Sequence, residues 1–183
     1  LRRRSEATIW QERTDNASIR SYFANNEPLT AKGRFAYARA LLASGDRDGA
    51  QTQVREAWRS EPMTPDLEAQ IRDQFGAFLD AGDDKARMEN RLYVNDSSGG
   101  MRAASRLSAS QVAIAKARAA VTAKAGNARA LVNAVPAEAH GDVGFLHAHL
   151  QLLRREEKFH EAARVMGSVP RDPARLGNND EWW

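Results

Sequence analysis

Apolar residues recur at helical spacing in a series of short stretches, separated by glycine, proline and polar clusters. Thr30 stands where an N-cap belongs, and Phe35, Ala38, Leu41 and Leu42 follow on one stripe until Gly45-Asp46 breaks it. A second helix is predicted from about Asp48 to Glu61-Pro62. Ala50, Val54, Ala57 and Trp58 lie on one of its faces, and Gln51, Gln53, Arg55 and Arg59 on the other. Thr64-Pro65 reads as an N-cap followed by proline at the first helical position. Leu67, Ile71, Phe75, Phe78 and Leu79 form the next stripe, Gly82-Asp83 reads as its turn, and Met88 and Leu92 belong to the return helix.

Beyond a polar break at 95–100, a short helix should end near Leu107. Ser108-Ala-Ser-Gln111 has the capping-box form, in which hydroxyl and amide reciprocally satisfy orphan N–H groups. An alanine-rich helix then spans about 111–125, and Gly126-Asn127 turns it into a short helix with Leu131, Val132 and Val135. The last pair carries Leu146, Leu150 and Leu153, then Phe159, Ala162 and Met166.

Internal similarity points to repeats. Val135-Pro136 and Val169-Pro170 each close a second helix, and positions 136 and 170 differ by 34. Ala38, Leu41, Ala50, Val54, Ala57 and Pro62 follow the tetratricopeptide spacing, with small residues where two helices would approach closely. Gly45, Gly82 and Gly126 are 37 and then 44 apart, so the array is irregular. The expectation is an all-α fold of irregular tetratricopeptide-like (TPR-like) helical hairpins, stacked as a right-handed superhelix or solenoid, a horseshoe or part of a ring. It would form one segment over 1–183, with helix pairs at about 30–60, 64–94, 96–135 and 142–169.

Composition agrees: 33 Ala stand against 13 Val and Ile among 183 residues, favouring helix over strand. The absence of Cys excludes a disulfide framework, a zinc ribbon and a thiol nucleophile. No apolar run reaches the roughly 20 residues of a membrane helix. Leu1-Arg-Arg-Arg4 is followed by Ser5-Glu-Ala-Thr8 in place of an apolar stretch, so an export signal would lie upstream or have been removed.

The net charge of +3 is unevenly spread. Between Ser97 and Ala137 there are six basic residues, Arg102, Arg106, Lys116, Arg118, Lys124 and Arg129, and no acidic one; the remainder nets 3 − 6 = −3. Arg102 and Arg106 share a face at i, i+4. These six are the candidate ligand-binding residues, a basic wall suited to an anionic polymer; the competing reading is pairing with acids on neighbouring helices.

Other chemistry is sparse. His147 and His149 point to different helix faces, and His140 and His160 lie elsewhere, so no metal site is expected. The pairs Asp83-Asp84 and Glu156-Glu157 fall at helix junctions, where acids complement a helix N-terminus and do not face each other as catalytic carboxyls. A phosphate loop, a G-x-S-x-G elbow and an H-E-x-x-H motif are all missing, and no cofactor is expected. Asp180-Glu-Trp-Trp183 reads as the opening of a further helix, as if the chain continued.

Four stretches in order, PLTAKGRFAYARALLASGD (28–46), FLDAGDDKARMENRLY (78–93), AIAKARAAV (113–121) and VPRDP (169–173) leading to DEWW (180–183), resemble the N-terminal superhelical region of soluble lytic murein transglycosylases. That resemblance implies a periplasmic protein acting on peptidoglycan glycan strands. In the family, one glutamic acid acts as acid and then base, and the product is a 1,6-anhydro sugar. That glutamate belongs to a C-terminal lysozyme-like domain, within a Glu-Ser dipeptide followed by a Gly-Leu-Met-Gln stretch. Neither motif occurs here, and none of the twelve Glu precedes a Ser, so no catalytic residue carries over. The resemblance implies a non-catalytic scaffold that bears on its own catalytic domain and helps hold the glycan, with no membrane span and no nucleic-acid partner. The alternatives are a stand-alone TPR-like adapter for a peptide and a basic helical-repeat nucleic-acid binder, which would bind with a steep salt dependence.

Overall fold

The computed structural model describes residues 1–172, Leu176 and Trp182; among them the chain is helical, with no strand. The helices are α1 (Arg2–Gln11), α2 (Asn16–Ala24), α3 (Ala31–Ala43), α4 (Arg47–Ser60), α5 (Pro65–Phe75), α6 (Ala81–Tyr93), α7 (Ser97–Ala104), α8 (Ala109–Thr122), α9 (Ala128–Asn133), α10 (Val143–Arg155) and α11 (Phe159–Gly167). Short 3-10 turns lie at Gly76–Phe78 and Ala137–Ala139. No described helix is long and apolar enough to cross a membrane. The chain forms two compact units, Leu1–Asp84 and Lys85–Trp183.

Helix starts follow the side chains that cap them. Thr30 accepts from the Gly33 N–H, Thr64 from Leu67, Ser108 from Gln111 and Asp142 from Gly144. At Ser108 the reciprocal half of the capping box is replaced by another contact: the Gln111 amide donates to Asp142 at 3.0 Å.

Helix ends show a repeated device. Gly45, Asn95, Lys124 and Glu157, each the second residue beyond a helix, have φ of 85°, 62°, 54° and 59°. Their N–H groups donate to the carbonyls three residues back, at Leu42, Leu92, Val121 and Arg154. The following residue donates five back: Asp46 to Leu41, Asp96 to Arg91, Ala125 to Ala120 and Lys158 to Leu153. This is the Schellman motif, used four times to end α3, α6, α8 and α10. In two turns the next residue is also an aspartate cap: Asp46 accepts from Gly49 and Asp96 from Gly99, both at 2.9 Å. A Cβ on either glycine would fall within 2.4 Å of the capping carboxylate, which explains Asp-x-x-Gly at both places.

Of the three turns suggested by glycine, Gly45 is one of these four, and the other two fall elsewhere. Gly82 lies inside α6, and Gly126 falls two residues beyond the left-handed Lys124. Hydrogen bonding selected the turn, and Asn, Lys and Glu accept the left-handed geometry at some cost.

The first unit has its main core at Phe35, Val54, Trp58, Ile71, Phe75 and Phe78, with Ile19, Phe23, Ala36 and Ala40 on the other side of α3. Glu6 is fully buried and ties α1 to the start of α3, accepting from the Leu29 N–H at 2.9 Å and the Thr30 hydroxyl at 2.6 Å. Gly33 passes so close that a Cβ there would lie 2.4 Å from the Glu6 carboxylate. In the second unit, Ile114, Val121, Val132, Phe145, Leu150 and Leu153 pack with Trp182, and Met88, Leu92, Ala103, Ala104 and Ala115 form a smaller cluster. Phe159 departs from the expected stripe: it is 65 % exposed, at the first position of α11, ahead of the buried Ala162. Trp182 is buried, with its indole N–H donating to the Leu176 carbonyl at 3.2 Å; Asp180, Glu181 and Trp183 lie outside the described residues.

The left-handed positions offer a direct test. Glu157 is exposed, so Glu157→Gly relieves about 1–2 kcal/mol of left-handed strain against about 0.5–1 kcal/mol of added chain entropy. A net gain of about 0.5–1 kcal/mol is expected, read as a higher urea midpoint with an unchanged m-value.

Candidate functional site

The six basic residues of the acid-free stretch do not share one environment. Lys116 and Lys124 are exposed, Arg102 and Arg106 are half-buried, and Arg118 is buried. Arg118 pairs with Glu89, and its guanidinium lies 4.4 Å from the centre of the Tyr93 ring. Arg129 forms a fork on Glu156, with Nε at 2.7 Å from one carboxylate oxygen and Nη2 on the other. The acids absent from positions 97–137 are thus supplied by α6 and by the end of α10, and Arg118 and Arg129 spend their charge inside the protein.

The paired acids also acquire particular jobs. Asp83 and Asp84 sit in the first turn of α6, as the dipole argument expects, but both are buried and salt-bridged. Arg59 Nε donates to Asp83 at 2.6 Å, and Arg55 Nε lies 3.2 Å from its other oxygen. Asp84 accepts from the Trp58 indole N–H at 3.1 Å and from Arg72 at 3.4 Å, and Arg72 also lies over the Trp58 ring at 5.6 Å. The polar face of α4, with Arg55 and Arg59 one turn apart, therefore faces this helix start. Two adjacent carboxylates each committed to arginines are a tether, with no free oxygen face for acid–base chemistry.

Glu156 and Glu157 lie at the junction of two helices: Glu156 is the C-cap of α10, where negative charge is unfavourable, and both residues immediately precede Lys158, the N-cap of α11. Arg129 and Lys158 offset Glu156.

In the second unit, Asp142 gathers Lys85, the Gln111 amide at 3.0 Å and the Gly144 N–H at 2.8 Å. Burial alone would raise its pKa, but the hydrogen bonds from Lys85 and Gln111, the Lys85 charge and the Gly144 N–H together hold it below the ordinary carboxylate range. Tyr93 moves the other way: burial raises it, against the opposing charge of Arg118. Its hydroxyl donates to the Leu176 carbonyl at 2.9 Å, and its ring meets His147 edge-on at 5.3 Å. Among the described residues no three His, Asp or Glu side chains converge as metal ligands.

A concavity lies in the first unit, where α3 runs between α1 and α5. Phe35 contacts Trp10 of α1 at 6.2 Å and Phe75 of α5 at 6.1 Å between ring centres. One turn further along α3, Arg39 is among the residues lining a polar pocket of about 780 Å³. The pocket lies between Trp10 and the α1–α2 link on one side and Gln70 and Gln74 of α5 on the other. Arg39 was not singled out by the sequence, since it lies between two buried alanines; its i, i+4 relation to Phe35 is the signal that was available.

Two outcomes follow from the charge placement. Arg118→Gln strands the Glu89 carboxylate and should destabilise by about 3 kcal/mol, whereas Lys116→Gln and Lys124→Gln should each change stability by less than about 0.5 kcal/mol; chemical denaturation separates them. Asp142, with its folded pKa depressed, contributes stability above its unfolded pKa that is lost as pH falls through the folded value. The stability difference between wild type and Asp142→Asn should be constant above about pH 5 and shrink below about pH 4, as read by denaturation across that range. Compared with protein-family models, with curated proteins and with solved structures, the chain gives no match.

Proposed function

We propose that this chain is the non-catalytic superhelical scaffold of a periplasmic lytic transglycosylase, an enzyme that cleaves peptidoglycan glycan strands with formation of 1,6-anhydromuramic acid. In this reading its hairpins stack into a right-handed solenoid that bears on a lysozyme-like catalytic domain and helps hold the glycan. The observation that carries the reading is the hairpin turn used at four points in one all-helical chain. A short turn of fixed geometry folds each helix back along its predecessor, and repetition of such units is how solenoids arise. Three of the four family-like stretches fall on helices that end in this turn: 28–46 on α3, 78–93 on α6 and 113–121 on α8. The end of the fourth lies outside the described residues.

In this reading the glycan-facing charge comes from Arg102, Arg106, Lys116 and Lys124. Arg118 and Arg129 serve as internal braces, since each is committed to an acid. Carboxylates of muramyl peptides would be attracted to such a surface, with an attraction that salt screens.

Sedimentation with purified peptidoglycan sacculi over a range of salt tests this. Wild type should co-sediment at low salt and release as salt rises. Replacing Arg102, Arg106, Lys116 and Lys124 with Gln together should weaken binding severalfold and flatten the salt dependence, with helicity retained by circular dichroism. No co-sedimentation of wild type at low salt would sink the reading. Unchanged binding and salt slope in the fourfold variant would remove these residues from it.

A further inference from the structure

We propose that the pocket between the end of α8, one face of α10 and the turn after α6 binds a small carboxylate anion, held by Arg118 and Arg155. The pocket lies within the second unit, and Asn95, Thr122, His147 and Gln151 complete its polar lining. The proposal does not depend on the peptidoglycan reading, since Arg102, Arg106, Lys116 and Lys124 are not part of this lining.

The first argument is the open edge of Arg118. Its side chain is only 3 % exposed, and its Nη1 is spent on Glu89. Nε and Nη2 have no acceptor among the described residues. Unlike the sealed Nη2 of Arg39, both are reached by solvent. The pocket is where Arg118 meets that solvent. Tyr93 covers the flat face of the guanidinium, 4.4 Å from the ring centre, and leaves the in-plane edge uncovered. Nε and Nη2 stand side by side in one plane, and their parallel N–H bonds form the fork that takes both oxygens of a carboxylate. Donors on so buried a side chain are otherwise paired inside the protein.

The second argument is Arg155. Its Nη2 donates to the Val121 carbonyl at 2.6 Å, which fixes the guanidinium at the C-terminal end of α8. That bond uses one N–H and neutralises no charge. Arg155 has no carboxylate partner among the described residues. The adjacent Glu156 is engaged by Arg129 and Lys158. Arg155 is a positioned cation without an anion, on the wall of the same pocket as the Arg118 edge.

The third argument is charge and size. Glu89 balances Arg118, no acid lines the pocket, and Arg155 leaves a net of +1 with His147 neutral. One negative charge is matched, which a carboxylate supplies and a phosphate dianion exceeds. The volume of about 180 Å³ falls below the about 300–1,000 Å³ of sites for drug-sized ligands, so the anion is one of a few carbons. The Thr122 hydroxyl and the Asn95 amide add donors for the lone pairs that the fork leaves over.

NMR of the arginine Nε–H signals in the full chain tests the proposal, with acetate, phosphate and chloride as probes at matched ionic strength and at a pH where phosphate is the dianion. Acetate should shift the Arg118 and Arg155 signals saturably, phosphate should bind more weakly, and chloride should leave both signals in place. Arg155→Gln retains the Arg118–Glu89 pair and should weaken acetate binding by about tenfold or more, the loss of one charged hydrogen-bond donor. Thr122→Val is an exposed, nearly isosteric change that should weaken binding severalfold, and it keeps the test decisive if Arg155→Gln disturbs the end of α8. Lys116→Gln, outside the pocket, should leave the affinity unchanged. Absence of a saturable acetate shift, equal shifts with chloride, tighter binding of phosphate, an equal loss in Lys116→Gln, or unchanged affinity in both Arg155→Gln and Thr122→Val would overturn the proposal.

Discussion

One device recurs along the backbone: a left-handed residue ends a helix and lets the next fold back against it. Where that turn forms, after α3, α6, α8 and α10, the N–H groups that follow each helix are used to cap its last carbonyls. The next helix begins two to four residues after the left-handed one. Short connections of this kind bring successive helices together with little loop entropy, and the apolar stripes meet because the turn presents them to each other. Only one of the four positions is glycine, so the geometry is enforced by hydrogen bonding and packing and not by local preference alone.

A second feature follows from alanine. Many of the buried positions at helix contacts are alanine, which permits close approach but buries little apolar area per residue. Specific polar tethers supplement the packing. Glu6 holds α1 to the start of α3, Asp83 and Asp84 hold Arg55, Arg59, Arg72 and Trp58, and Asp142 holds Lys85 and Gln111. Three of these carboxylates sit at or beside a helix start, where free N–H groups and the dipole favour negative charge. Breaking such a buried pair leaves an uncompensated charge, so these contacts enforce a particular helix arrangement more than they add net stability.

Charge that looked functional in one dimension is partly structural in three. An acid-free run of residues still meets acids when the chain folds back on itself, and Glu89 and Glu156 claim Arg118 and Arg129 in this way. The reverse holds at Arg39. Set between two buried alanines it reads as an unremarkable helix residue, yet folding gives it an aromatic neighbour, a second cation and no acceptor for Nη2.

Helical periodicity, alanine content and the polar caps were sufficient to place most of the helices, because they depend on residues within one or two turns of each other. Thr30, Thr64-Pro65 and the faces of α4 and α10 were legible for that reason. The stripe through Ala162 was legible too, but not the exposure of Phe159, since burial depends on how far the neighbouring helix extends. Left-handed turns at Asn95, Lys124 and Glu157 were hidden because those residue types do not announce them. The partner of each charged side chain, and the pocket around Arg39, were decided by tertiary structure alone. Ion pairs and cavities join residues tens of positions apart, and no local pattern encodes which of them will meet.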